Sequence, residues 1–153
     1  MNDQELADLA GRFRTTLRLA VYMARRLDGV TGLPTTQLSI LNMIAGDGLR
    51  VGVIAENLGV RVPSATEQVG RLERAGLVAR RADPTDARAV VVRRTQAGDQ
   101  AAADANRRRT ARMVDALEGL DPAELEALRA ALPVMDRINE RLHADTNPKE
   151  HIA

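Results

Sequence analysis

Between residues 62 and 95 the apolar period of the chain changes from that of a helix to that of a strand, and this switch limits the folds open to it. "PSATEQVGRLERAG" carries Val69 and Leu72 on one helical side and closes at Gly76. It gives way to two short β-prone segments, "LVARRAD" and "AVVVRRT", around "PTDA", which predict a hairpin. Immediately before it, "VGVIAENLGV" predicts a short helix with Ile54, Ala55 and Leu58 facing inward and Gly59 as its C-terminal signal.

Two short helices joined by a tight, glycine-containing turn form a helix-turn-helix, and a hairpin directly behind them makes a winged helix. In such a motif the second helix enters the DNA major groove with its N-terminal end first. Pro63 or Ser64 is expected to open that helix, with Ser64 as N-cap and Glu67 completing a capping box. The exposed positions would be Ser64, Ala65, Thr66, Glu67, Gln68 and Arg71, with Arg61 and Pro63 at the entrance. Ser, Gln and Arg side chains can all read base edges. A plain helical hairpin inside a bundle fits the two helices equally well; the wing behind them favours DNA binding.

Charge points the same way. The net charge is only +1, yet residues 61–94 carry eight arginines against four acids. A basic segment in a nearly neutral chain predicts a localised anion-binding surface. Arg88 falls at the wing tip, where a guanidinium can enter a narrow minor groove. Asp86 can hold it extended, or can simply cap the turn.

Long helices flank the lobe. Residues 4–27 carry Leu6, Leu9, Phe13, Leu17, Val21 and Leu27 at three- and four-residue spacing. "DGVTGLP" breaks the chain, and Thr35 or Thr36 can cap a second helix bearing Leu38, Leu41 and Ile44. Thr95 is expected to cap a helix over 96–118. Asp121, Pro122 and Glu124 then open a last helix with a capping box, and Pro133 should kink it near Ala130. Leu125, Leu128, Leu132, Met135, Ile138 and Leu142 form one apolar stripe on that helix. A small monomer cannot easily bury this stripe and that of the first helix, so a partner chain is implied.

The segment "LGVRVPSATEQVGRLERAGLVARRADPTDARAVVVRRTQAG" resembles the MarR family of bacterial winged-helix regulators. The resemblance rests on "RLERAGLVARR" at the end of the recognition helix, on Asp86 and Arg88 of "DPTDAR", and on Thr95 and Gly98 at the exit of the wing. The flanking helices match in number and order. The resemblance implies a mainly α fold with a small β-hairpin wing, dimerised two-fold through interlocked terminal helices. On that reading residues 1–30 form an N-terminal dimerisation helix and 31–98 the DNA-binding lobe. Residues 99–145 are C-terminal dimerisation helices, and 146–153 a disordered tail. It also implies a repressor on an inverted-repeat operator, released by a small aromatic or phenolic effector. Arg14, Leu17, Tyr22, Leu41 and Met113 would line the effector pocket, chosen by type and approximate placement. Two positions depart from the family pattern. Glu67 stands where members often carry arginine, so it either accepts from cytosine or turns back to Arg71. Arg94 stands where leucine is usual, so either its stem packs and its head reaches out, or the wing register is shifted.

Other classes find little in the sequence. With no cysteine there are no disulfides, thiolate metal sites or thiol nucleophiles. His143 and His151 alone do not make a metal site. No glycine-rich phosphate loop or spaced carboxylate pair is present, so neither an enzyme nor a cofactor is expected. No apolar run spans a membrane and the N-terminus has no signal-peptide pattern, so a cytoplasmic protein is expected. Architectural, nonspecific DNA binding and a winged-helix module docking on protein remain alternatives; arginines on both helix and wing argue against the latter.

Overall fold

The computed structural model describes residues 2–26, 32–83, 86 and 89–146. Arg88, most of the expected break before the second helix, and the expected tail from residue 147 onward lie outside the described residues. Among the described residues six helices and one hairpin follow in the order α1 (Asp3–Arg26), α2 (Thr35–Met43), α3 (Val51–Leu58), α4 (Val62–Arg74), β1 (Val78–Ala82), β2 (Val90–Arg94), α5 (Gln96–Leu117) and α6 (Pro122–Thr146). The chain divides into two compact units, Met1–Thr110 and Ala111–Ala153.

In the first unit the core gathers the inward faces of α2, α3 and α4 with both strands and the first half of α5. Leu38, Leu41, Ile44, Ile54, Val69, Leu72 and Val92 are sealed within it. Ala102 and Ala105 let α5 approach closely. Asn42 and Asn106 exchange amide hydrogen bonds of 3.0 and 3.4 Å, and the Arg109 guanidinium donates to Thr35 Oγ1 at 3.2 Å. The run "NRRR" at 106–109, expected from its polarity to be a solvated face, is therefore in part a packing surface. α1 begins with a reciprocal cap between Asn2 and Glu5 and contains no buried residue.

The hairpin is antiparallel and in regular register, Val78 opposite Arg94 through Ala82 opposite Val90. Leu49 adds a one-residue third strand, donating to and accepting from Val92 at 3.1 and 2.8 Å. Gly48 makes this possible. Its φ is +81°, and a Cβ there would stand 2.4 Å from the Val92 carbonyl oxygen.

Two expected caps are corrected. No threonine side chain caps α2; its N-cap is Pro34, and the helix starts at Thr35 itself. α4 starts at Val62, ahead of Ser64. Its N-cap is Arg61, and the Ser64 N–H already bonds the Arg61 carbonyl at 3.0 Å. Pro63 fits the first turn, where its missing N–H costs nothing, so the helix extends past the serine.

In the second unit, α6 opens as expected. Asp121 Oδ1 accepts from the Glu124 N–H at 2.8 Å, and the Glu124 carboxylate accepts from the Asp121 N–H at 3.0 Å. The helix runs through Pro133 without interruption. Leu125, Leu128, Leu132 and Leu142 all stay more than a third exposed. No helix among the described residues is long and apolar enough to cross a membrane.

Candidate nucleic-acid interface

Gly59, at φ +64°, ends α3 in the left-handed conformation and turns the chain into α4 within three residues. Ala65, Val69 and Leu72 anchor α4 in the core. The expectation that Ala65 lies on the outward face is therefore corrected: it is fully buried, because only a small side chain fits where α4 packs closely on its neighbours. The opposite stripe carries Pro63, Ser64, Glu67, Arg71 and Arg74, with Arg61 at its N-terminal end, and all of them are exposed. Thr66 and Gln68 lie at the edges of that stripe. Thr66 returns its hydroxyl to the Val62 carbonyl at 2.8 Å. Gln68 is half-buried and meets Gln37 at 3.5 Å.

The basic segment is divided between arginines held by carboxylates and arginines that are not. Arg80 is engaged by Glu73, Arg93 by Asp47 and Arg71 by Glu67. Arg94 is 17% exposed; its Nε donates to the Leu41 carbonyl at 2.5 Å and its NH1 meets Asp99 at 3.2 Å. The register is not shifted. The stem packs, and the head caps the last turn of α2 from outside. Arg61, Arg74 and Arg81 have no carboxylate partner among the described residues, which leaves them available to phosphate.

One residue beside the candidate interface escaped the sequence reading. Arg50, the N-cap residue of α3, donates from Nε and NH2 to Asp83 Oδ2 at 2.9 and 2.8 Å, and from NH2 to Asp86 at 3.3 Å. The Asp83 hydrogen bond, joined by the charges of Asp83 and Asp86, raises the guanidinium pKa above its ordinary value. The root of the wing is thus tied to the helix-turn-helix, and the charge of two carboxylates that would repel phosphate is offset in part. No local signal could have shown this, since the partners are 33 and 36 residues apart.

Residues 31–89 match the MarR family. An uncharacterized HTH-type transcriptional regulator of Mycobacterium leprae (strain TN) is 32% identical over 141 residues, spanning 88% of this chain and 99% of that protein. The chain belongs to the MarR family. A MarR family protein from Bacillus stearothermophilus superposes with a TM-score of 0.74 at 22% identity, over 92% of this chain and 99% of that one. CouR from Rhodococcus jostii RHA1, solved bound to p-coumaroyl-CoA, does so with a TM-score of 0.68 at 22% identity, over 93% and 94% of the two chains. The mainly helical fold with its two-stranded wing is that of the MarR winged-helix regulators, and this family member is a transcriptional regulator of the DNA-binding helix-turn-helix class.

Within the MarR fold the other candidate residues separate by environment. Tyr22 and Met113 are exposed, as is Arg14, whereas Leu17 is half-buried and Leu41 is sealed in the core. A shallow hollow of about 750 Å³ along α1 is lined by Ala7, Asp8, Gly11, Arg12, Thr15 and Thr16, and by none of those five.

The Arg50 brace leads to a direct expectation. Arg50→Ala should lower the melting temperature modestly, because the guanidinium is half-exposed but the nearly buried Asp83 carboxylate loses a close partner. It should also weaken DNA binding severalfold and speed amide exchange across residues 83–89. Exchange mass spectrometry beside a DNA titration checks both; unaltered exchange in the wing would show that Arg50 does not brace it.

Proposed function

We propose that this MarR member is a homodimeric repressor of an inverted-repeat operator, with one winged helix per half-site. The observation that carries the reading is the outward stripe of α4: Arg61, Arg71 and Arg74 exposed around Ser64 and Glu67, on a helix anchored by Ala65, Val69 and Leu72. In this reading α4 lies in the major groove and the wings reach the flanking minor grooves through Arg88. Dimerisation is supported by the exposed apolar residues of α1, among them Leu6, Leu9 and the half-buried Phe13, and by those of α6. The division into N-terminal dimerisation helix, DNA-binding lobe and C-terminal dimerisation helices belongs to the same proposal.

We further infer release by a small aromatic effector, by likeness to CouR, which was solved with p-coumaroyl-CoA. Arg14, Leu17, Tyr22, Leu41 and Met113 remain the residues to test for it.

Footprinting on the chain's own promoter region tests the reading. A protected inverted repeat is expected, whereas equal affinity for random duplexes would make the protein a nonspecific DNA binder. Arg88→Ala should lower the salt slope of binding by about two per dimer, one for each lost phosphate-region contact. Its loss of affinity should be larger for operators with A·T-rich flanks. An unchanged slope and affinity would make Arg88 a bystander.

A further inference from the structure

Glu67 is an unusual residue to place where a polyanion docks. Its side chain is 60% exposed, in the middle of the outward stripe of α4, and that of Arg71, one turn on, is 52% exposed. Arg71 NH2 donates to Glu67 Oε1 at 2.6 Å, so the two side chains form one unit with the acid on the N-terminal side. Against a phosphate this carboxylate would be repelled. Over base edges it has a use, since it is an acceptor held beside a fork of donors.

We propose that the Glu67–Arg71 pair reads one C·G base pair in each half-site, Glu67 accepting from cytosine N4 and Arg71 donating to guanine O6 and N7. This inference rests on the sequence-specific DNA-binding reading given above. The match is geometric. Cytosine N4 and guanine O6 are hydrogen-bonded to each other, so they lie roughly 2.9 Å apart. That is close to the separation of the two protein atoms, 2.6 Å. Set edge to edge, the pairs close a ring of four hydrogen bonds: carboxylate to N4–H, N4–H to O6, O6 to guanidinium, guanidinium to carboxylate. The remaining guanidinium donors face N7, completing the two-point contact with guanine.

The other base pair with a neighbouring donor and acceptor fits less well. Thymine offers Arg71 one acceptor, O4, beside a methyl group, and adenine N7 would turn a lone pair towards the Glu67 carboxylate. The pair therefore discriminates on both sides, and the carboxylate also disfavours unspecific contact with phosphate.

The test is selection of binding sites from randomised duplexes by the full-length protein, followed by titration of the selected duplex. One C·G pair is expected at one position per half-site, with preference reduced roughly tenfold by Arg71→Ala or Glu67→Ala. Replacing that guanine by 7-deazaguanine should weaken the wild type but not Arg71→Ala. Replacing that cytosine by N4-methylcytosine should weaken the wild type but not Glu67→Ala. Glu67→Gln, which keeps an acceptor oxygen, should retain part of the preference. Glu67→Ala should also bind random duplex more tightly, as loss of a negative charge requires, an effect that a purely structural residue would not produce. If a site is selected but its preference survives both alanine variants, the pair reads nothing and the proposal falls while sequence-specific binding stands. If no site is selected, the functional reading itself falls.

Discussion

Replacing Gly98 by alanine should destabilise the winged-helix fold by about 3 kcal/mol, the upper end of the usual cost of overpacking a filled site. A Cβ on Gly98 would stand 1.9 Å from the Leu77 carbonyl oxygen and 3.0 Å from its carbon. Both are backbone atoms, and neither side can retreat. The Leu77 N–H bonds the Leu72 carbonyl at 2.9 Å, closing α4, and its carbonyl accepts from the Thr95 N–H at 3.1 Å. On the other side the Gly98 N–H bonds Thr95 Oγ1 at 3.0 Å, and the same hydroxyl donates to the Gly76 carbonyl at 2.7 Å. The end of the recognition helix, the start of the wing and the start of α5 are thus fastened at one point, which explains the threonine and glycine three residues apart. At about 2–4 °C per kcal/mol, the melting temperature should fall by roughly 10 °C. Gly70→Ala is the contrast. That Cβ meets no atom within 4 Å, so the variant should be as stable as the wild type or more stable by up to about 1 kcal/mol. Thermal melts of the two variants decide it, and wild-type stability for Gly98→Ala would show that the contact can relax.

Ending the chain after Leu120 should abolish the proposed dimer and lower affinity for the proposed inverted repeat by on the order of a hundredfold, since a second half-site would no longer be bound at high effective concentration. The Asp121–Glu124 box lets α6 form locally, so its folding does not explain its apolar stripe. Leu125, Leu128, Leu132 and Leu142, between 36% and 57% exposed in the single chain, need a cover. Leu6 and Leu9 of α1 are in the same position at 52% and 53%. Faces of this kind mark an interaction surface, and a two-fold partner presenting the same faces is the simplest cover. Without α6 the remaining apolar surface of α1 should drive aggregation. Sedimentation of both chains is the measurement, and a well-folded full-length monomer at micromolar concentration would overturn the prediction.

What the sequence determined by itself is whatever depends on residues a turn or a strand pair apart. The left-handed Gly59, the Thr95 cap and the Asp121–Glu124 box have their partners within a few residues, and the two strands of the hairpin are neighbours along the chain, so residue type and local pattern were sufficient. The outward placement of Glu67 and Arg71 follows from the helical period in the same way. What the tertiary structure decided are contacts whose partners are far apart in the chain. Arg50 finds Asp83 and Asp86 only because the wing folds back on α3. Arg94 reaches the Leu41 carbonyl only because β2 runs beside the end of α2. Local rules also lost where packing outweighed them. Ser64 is the better N-cap by residue type, yet Val62 and Pro63 continue the helix and leave Arg61 at the cap. Ala65, placed outside by its neighbours' polarity, is drawn inside because the core of α3 and α4 closes over the smallest side chain on that face. An offset along the chain fixes a hydrogen bond within a turn; which face a helix buries depends on the elements that pack against it.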